Sequence, residues 1–371
     1  MHIQDAVVGD IEPTELELAL INTKPMQRLR QIKQLSLGNL VYPGANHTRF
    51  EHSLGTMQIT REVMQSSLKE TDEELEIAGL LHDIGHCAFS HYSDDLLMKY
   101  LKTNHEKIGE GIIQKGEISD VLGKSGASVK KVISYFRGNG KGTIITGSLG
   151  SDRLDYLSRD AHYTGVAYGI IDYSIIRSRL AWYKGNPAVY KSGINGAESI
   201  LIARYSMFAS VYNHHVNRIA RGIYEKAVIA AIDSGKMNKS ELLIHDDYSI
   251  IARLQQIKES RELISRIVER RLFKRAYNEG VNGLLDLDAV KDAIEKTGIG
   301  ENDYVMEVIK FKGATDDVDV LNKDGEYVGK LTELSALVRT LVSMDTKQKL
   351  LVACDASNTE KVRAAVEKAV S

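Results

Sequence analysis

Proline is scarce in this sequence, with four in 371 residues, so few positions fix φ or lack an amide donor, and long helices are permitted. Cysteine is scarcer. Cys87 and Cys354 are the two present; they lack CxxC spacing, and one distant pair in a chain this long makes no disulfide framework. No basic segment followed by an apolar one opens the sequence, and no apolar run approaches the roughly 18 residues of a membrane helix. The expectation is a soluble, cytoplasmic protein with no membrane partner. Charge of one sign is also lacking: the net charge is −2 and the pI about 6.6. That balance excludes a global attraction to nucleic acid and leaves only a local basic patch for binding phosphates. Internal repeats and low-complexity tracts are absent.

What is present suits a globular enzyme, with 43% hydrophobic and 26% charged residues. After a short extended lead-in and a helix, Tyr42-Pro43-Gly44-Ala45-Asn46 is a turn-rich break. From Glu51 a helical spacing begins, with Leu54, Met57, Val63 and Met64 as buried positions. Thr71-Asp72-Glu73-Glu74 and Thr103-Asn104-His105-Glu106 read as capping boxes with threonine as the cap. The first opens a helix whose core-facing stripe runs through Leu75, Ala78 and His82; the second puts His105 in the first turn of another. Asp152, Asp155, Tyr156, Arg159 and Asp160 share one helix side, opposite Leu154, Leu157 and Ala161. One helix from about 197 to 232 carries Arg204, Phe208, Tyr212 and His215 on a single stripe. Residues 240–276 read as helical and become basic toward their end. Val305–Phe311, Val318–Leu321, Glu326–Leu331 and Leu350–Ala353 read as strands, with Asn322-Lys323-Asp324-Gly325 as a hairpin turn and Thr359–Val370 as a closing helix. The expected fold is mainly α. It has a helical catalytic core over 1–235, a helical extension with a basic helix over 236–300, and a small α+β region over 301–371.

The pair His82-Asp83, in Leu81-His82-Asp83-Ile84-Gly85-His86, joins an imidazole and a carboxylate at a helix end. Such a pair suits Mn, Fe, Ni or Zn, which accept nitrogen and oxygen ligands together. By itself the dipeptide is common. Here it lies between Arg49-Phe50-Glu51-His52-Ser53-Leu54-Gly55 and Ser151-Asp152-Arg153-Leu154-Asp155-Tyr156-Leu157-Ser158-Arg159-Asp160. The order His52…His82-Asp83…Asp152 resembles the ligand set of the HD phosphohydrolase superfamily, and that resemblance implies these four as the metal ligands, two neutral imidazoles and two carboxylates that formally neutralise a divalent cation. Beside them stand His86, His91, Asp94 and His105. Hydrolysis of a phosphoanhydride or phosphoester needs charge neutralised on its oxygens, an aligned water and a proton donor for the departing oxygen. His86 and His105 suit those tasks, and a carboxylate such as Asp94 can hold a histidine in the needed protonation state. His91 is read as a capping or core histidine. Arg49, three residues before His52, shares its helical face and can reach the same phosphate, which a guanidinium binds through paired N–H groups.

The order His…His-Asp…Asp, with these flanks, resembles the HD phosphohydrolase superfamily. Gln-Arg-Leu-Arg from Gln27, Arg-Phe-Glu-His-Ser-Leu-Gly, His-Asp-Ile-Gly-His…Phe-Ser-His and Asp-Tyr-Leu-Ser-Arg-Asp make the chain similar to its deoxynucleoside triphosphate triphosphohydrolases. The likeness runs from about Ile21 to Lys274 and implies an HD-domain helical bundle. It implies hydrolysis of a dNTP to deoxynucleoside and inorganic triphosphate, with one divalent transition metal per subunit, and it allows Mg on the triphosphate. It also implies His105 with Asp94 as the acid/base pair and His86 as a phosphate contact. Arg49, Arg153, Tyr156 and Arg204 would bind phosphates, Gln34 and Asp160 the 3′-hydroxyl, and Leu35 with Tyr212 would leave no space for a 2′-hydroxyl. In the family an activating nucleotide binds between subunits, and Arg30, Arg270 and Lys274 match basic positions of that site, whereas Asn22 replaces its guanine-reading Asp and Ile175 stands near one of its arginines. A homo-oligomer, dimer or tetramer, is the corresponding expectation. A domain ahead of the core is not expected. The motif leaves two other readings open: a nucleotidase or phosphodiesterase on another phosphorylated nucleotide, and a nucleotide- or single-strand-binding sensor that keeps the pocket.

Overall fold

Glu51 turns back onto Thr48, its Oε2 accepting from the Thr48 amide at 2.5 Å and the Thr48 hydroxyl at 2.9 Å. This cap starts helix α1 (Arg49–Val63), whose residues Phe50, His52, Leu54, Met57, Ile59 and Val63 are all buried. In the computed structural model, which describes residues 2–171, 173–281, 285–310, 317–343 and 348–370, α1 is the axis of a helical bundle. Packed on it are α2 (Glu73–Leu81) and α5 (Ser151–Thr164). Between those two in sequence come α3 (Asp94–Leu101) and α4 (His105–Gln114). After α5 come α6 (Ile194–Met207), α7 (His215–Asp233), α8 (Asp247–Gln256) and α9 (Lys258–Val268). Among the described residues no helix is long and apolar enough to cross a membrane.

Two expected caps sit one residue later than the sequence suggests. Asp72, not Thr71, accepts from the Leu75 amide at 3.3 Å, and Asn104, not Thr103, accepts from the Lys107 amide at 3.0 Å. Both pairs contain two capping residue types, and the register of the buried face chooses between them. The expected single helix over 197–232 is two helices. Residues Phe208–Tyr212 form a π turn, and Asn213-His214 leave helical geometry before α7 begins. A π turn inserts one residue and rotates the succeeding side chains off the 3.6-residue stripe. His215 is thereby taken off the Arg204–Tyr212 face and stacks on His214, with ring centroids 4.6 Å apart.

Among the described residues, three small sheets complete the fold. The extended lead-in is a hairpin of β1 (Ile3–Asp5) and β2 (Gly9–Ile11). A four-stranded sheet orders as β3 (Leu180–Tyr183), β4 (Asn186–Tyr190), β7 (Asp319–Leu321) and β8 (Tyr327–Lys330). A three-stranded sheet places β9 (Gln348–Cys354) between β5 (Lys274–Val281) and β6 (Tyr304–Lys310), with helix α10 (Thr359–Val370) beside it. The basic stretch read as helical through residue 276 therefore ends earlier. α9 stops at Val268, Arg270 adopts φ +56°, and Lys274 starts a strand in which Ala276 and Tyr277 are buried. Strand pairing crosses both expected segment boundaries, since β4 pairs with β7 and β5 with β9. Phe311, expected in a strand, lies outside the described residues.

Two glycines permit the approaches that build the centre. A Cβ on Gly55 would collide with Asp155 Oδ1 and Arg159 Nη2, and a Cβ on Gly85 with the His105 carbonyl and Gly109 amide. The first clash concerns side chains of α5 against α1, the second the backbone of α4 against the turn after α2. Gly55→Ala is expected to destabilise the protein by about 1–3 kcal/mol, the usual cost of forced overpacking, measured by urea unfolding. Unchanged stability would mean that Asp155 and Arg159 can withdraw freely.

Candidate metal centre and its adjoining histidines

His52 projects from the first turns of α1, His82 and Asp83 from the end of α2, and Asp152 from the first turn of α5. Their ligand atoms converge. His52 Nε2 lies 3.1 Å from His82 Nε2 and 3.0 Å from Asp152 Oδ1. His82 Nε2 lies 3.6 Å from Asp152 Oδ1 and 3.5 Å from Asp83 Oδ1, and Asp83 Oδ2 is 3.6 Å from His52 Nε2. An ion about 2.1 Å from two donors at angles of about 90–110° would set them roughly 3.0–3.4 Å apart, which is close to this spacing.

The protonation of the two imidazoles supports the fit. His52 Nδ1 lies 2.7 Å from Asp155 Oδ2, and His82 Nδ1 lies 2.8 Å from the Gly79 carbonyl. Both partners accept only, so each Nδ1 carries its hydrogen and each neutral ring turns an Nε2 lone pair to the same point. Two lone pairs 3.1 Å apart, flanked by two carboxylates, require a cation or a proton between them. A divalent metal such as Mn, Fe, Ni or Zn suits this donor set. Without it, burial lowers the His52 pKa, but hydrogen bonds to Asp152 and Asp155 outweigh burial and raise it to about 10. Burial would raise both carboxyls; instead Asp83 is held well below the carboxylate range chiefly by Arg49, and Asp152 is lowered by His52 and His82.

Behind His52 stands a buried relay that sequence reasoning left without a role. Asp155 accepts from Arg159 Nε and Nη2 at 2.8 Å each, and Arg159 in turn donates to Asp5 at 2.8 and 3.1 Å. Arg159 and Asp155 are fully buried. The Arg-Asp repeat at helical spacing within α5 is the signal that could have found it.

A second cluster adjoins the first. His86, His91, Asp94 and His105 each offer a donor atom within 4.8 Å of the others. Asp94 accepts from His105 Nδ1 through Oδ1 and from His91 Nδ1 through Oδ2, at 2.9 Å each, so both rings present Nε2 outward from the carboxylate. The two imidazoles hold the Asp94 carboxyl far below its ordinary value against the opposing effect of burial. His86 is buried and stacked on His105 with centroids 4.0 Å apart; Asp83 Oδ1 is 3.3 Å from its Nε2, and burial with the Arg49 charge keeps its pKa well below the usual imidazole value. His91 is neither a core residue nor a helix cap. Its side chain is 63% exposed and its ring meets both other histidines edge-on. The residue comes after two left-handed residues, Phe89 (φ 54°) and Ser90 (φ 52°), a kink that no helical periodicity announces. Arg49 joins the two clusters, bonding Asp83 through Nη1 and Ser90 Oγ through Nε at 2.8 Å.

On the far side, Asp160 accepts from Tyr212 through Oδ2 and pairs with buried His47 Nε2 through Oδ1, both at 2.7 Å. No motif in the sequence singles out His47. Its carbonyl accepts from the Gln34 amide at 3.0 Å, and the buried Gln34 Oε1 has no hydrogen-bond partner among the described residues. Leu35 is half-buried, and Tyr156 stands between the two regions, 6.5 Å from His52 and 6.3 Å from Tyr212 by ring centroid. Arg204 is buried with its guanidinium 5.1 Å from the Phe208 ring centroid, while Arg153 donates to the Ser148 carbonyl at 2.8 Å. Each expected regulatory cation has its own surroundings within the chain. Arg30 lies over the Phe50 ring at 3.7 Å, Arg270 donates to the Leu40 carbonyl at 3.1 Å, and Lys274 is exposed. Asn22 is exposed as the C-cap of helix Glu15–Ile21, and the side chain of Ile175 lies outside the described residues.

Residues 49–163 match the HD domain and residues 171–371 the HD-associated region. The chain is 38% identical over 277 residues to a protein of Methanocaldococcus jannaschii, covering 73% of this chain but only 58% of that protein's length. It is 27% identical over 368 residues to the deoxynucleoside triphosphate triphosphohydrolase SAMHD1 homolog of Dictyostelium discoideum, covering 88% and 70% of the two chains. The solved structure of a phosphohydrolase from Bacteroides thetaiotaomicron superposes with a TM-score of 0.77 at 25% identity, covering 96% of this chain and 99% of the other.

Proton and metal compete for one place. With the His52 pKa raised from 6.5 to about 10, its contribution to the stability of metal-free protein is complete below pH 6.5 and is lost as pH rises through 10. The melting temperature of chelator-stripped protein is expected to fall across that window more steeply than that of metal-loaded protein, and loading at pH 8 to release about one proton per chain. Parallel pH profiles and no proton release would reject this site. Asp83→Ala is expected to leave no bound metal by elemental analysis.

Proposed function

The chain belongs to the HD-domain phosphohydrolases that carry an HD-associated region, and from that membership we propose that it cleaves dNTPs to deoxynucleoside and inorganic triphosphate. The observation that carries this finer reading is the wall opposite the metal ligands. There Tyr212, Asp160 and His47 are linked by 2.7 Å bonds beside the unpartnered buried Gln34 Oε1. A buried acceptor without a partner is costly, and a sugar hydroxyl donating to Gln34 would satisfy it. Leu35 and Tyr212 supply the bulk that disfavours a 2′-hydroxyl in the same place. The likeness to the Dictyostelium triphosphohydrolase supports the same substrate class.

In this reading Arg49, Arg153, Tyr156 and Arg204 hold the phosphate chain, the guanidiniums through paired N–H groups. His86, kept neutral by burial and the Arg49 charge, donates a hydrogen bond to an α-phosphate oxygen. His52, His82, Asp83 and Asp152 would hold a divalent ion, which would supply positive charge for the phosphate oxygens and the attacking water. Water oxygen bonds to the α-phosphorus, the bond from phosphorus to the sugar 5′-oxygen breaks, and triphosphate departs with the water's oxygen. His105, oriented by Asp94, gives the 5′-oxygen its proton and is recharged by the proton that the attacking water loses. The resemblance also allows Mg on the triphosphate. The expected assembly is a dimer or tetramer in which Arg30, Arg270 and Lys274 of neighbouring subunits come together around an activating nucleotide, since symmetric assembly is the common way to join such distant positions.

Two measurements test these readings. Metal-loaded protein is expected to release triphosphate from dATP well ahead of ATP, resolved by anion-exchange chromatography; equal rates would remove the deoxy-specific form, and pyrophosphate with a monophosphate would place the cleaved bond elsewhere. Arg270→Glu is expected to weaken nucleotide-dependent assembly in light scattering while leaving bound metal intact. A monomer fully active with and without added nucleotide would reduce the basic positions to a solvated surface.

A further inference from the structure

Asp247 is 2% exposed and lies outside both histidine clusters. It is the first residue of α8, whose cap is Asp246, accepting from the Tyr248 and Ser249 amides at 3.0 and 2.8 Å. The helix therefore has no need of the Asp247 side chain, which instead reaches two distant backbone amides. Its Oδ2 accepts from Lys33 at 2.9 Å and its Oδ1 from Phe89 at 2.6 Å.

Each amide sits at a decisive place. Lys33 precedes Gln34 and Leu35. Phe89 and Ser90 are the left-handed pair, costly for residues with a side chain, that turns the backbone from His86 toward His91 and Asp94. Two further bonds tie the same segments: Ser36 Oγ donates to the Phe89 carbonyl at 2.8 Å, and Ser90 Oγ to the Lys33 carbonyl at 3.0 Å. Asp247 reaches both segments from the HD-associated region.

We propose that Asp247 is a positioning residue that sets the spacing between the Lys33–Leu35 segment and the His86–Asp94 turn, and through it nucleotide affinity and sugar discrimination. The inference rests on the nucleotide reading above. A purely stabilising role fits poorly, because burial pushes the Asp247 carboxyl up to about 7 even though the Phe89 and Lys33 amides and the Lys33 charge act to lower it. A neutral side chain would be buried here more cheaply; only an acceptor with two oxygens spans both amides. Asparagine would turn an amide donor toward one of them.

The test uses full-length, metal-loaded protein with Asp247→Asn and, as a milder variant, Ser36→Ala. Hydrogen exchange reports the clamp without reference to activity: peptides containing Lys33 and Phe89 are expected to exchange at least about tenfold faster in Asp247→Asn, with β9 unchanged. At temperatures where all proteins are folded, KM for dATP is expected to rise about tenfold with kcat changed less than about threefold, and the preference for dATP over ATP to fall, since displacements near 1 Å have effects of this order or larger. Ser36→Ala is expected to move the same quantities by less, and decides the matter if Asp247→Asn does not fold. Faster exchange with unchanged KM and unchanged preference would overturn the positioning role and leave a structural one. Unchanged exchange at Lys33 would overturn the clamp itself. Wild-type protein that binds metal but cleaves no dNTP would overturn the nucleotide reading and, with it, the assigned consequence.

Discussion

The hydrogen bond from His52 Nδ1 to the Asp155 carboxylate is the contact on which the centre depends, because it decides which ring nitrogen faces His82, Asp83 and Asp152. Turned the other way, the ring would offer a donor where an acceptor is needed. The bond is itself held by Arg159 and, behind that, by Asp5 on the opening hairpin. Burying such a chain of charges contributes little net stability, since desolvation offsets much of the attraction. Its value lies in geometry. Each charge has a single satisfied arrangement, so α1, α5 and the hairpin can come together in few other ways. Gly55 makes that arrangement possible by leaving room where any side chain would strike Asp155.

The two matched regions divide the work unequally. Residues 49–163 contain the converging His52, His82 and Asp83, Asp152 beside the two imidazoles, and the whole His86–His91–Asp94–His105 cluster. The HD-associated region, 171–371, brings Arg204 and Tyr212 to the opposite wall and Asp247 to the backbone between them. The π turn at Phe208–Tyr212 is the device that aims Tyr212 at Asp160. A regular helix would have carried the tyrosine to a different angle. The three-stranded sheet lies further out, its β6 packed on α7, and its strands come from before and after residue 300.

Much of this was legible in the residues. The helices around His52, His82 and Asp152 show the 3.6-residue spacing of a buried face, and their polar residues stand in an order that tertiary packing then gathers. The late strands near 305, 319, 328 and 350 carry apolar residues bounded by turn signals, which is why they could be read. The misreadings share a cause. At Thr71-Asp72 and Thr103-Asn104 two neighbours had equal capping chemistry, and only the packed register chose. Near 274 a run of basic residues gave no periodicity to separate a helix end from a strand start. His91 carried no sign of its exposure, because the left-handed Phe89–Ser90 kink arises from ties to Asp247, Ser36 and Lys33 that are far away in sequence.

By itself, then, the sequence determined the donor types, their order and the helices that bear them, because these follow from local spacing and from the chemistry of each side chain. Tertiary structure alone decided what those donors face. The tautomer of His52 depends on Asp155, 103 positions away, the partners of Asp160 on His47 and Tyr212, and the course of the His86–Asp94 turn on Asp247, 158 positions beyond Phe89. Such choices are made between groups that meet only after packing. A hydrogen bond depends on distance and direction in space, and spacing along the chain carries neither.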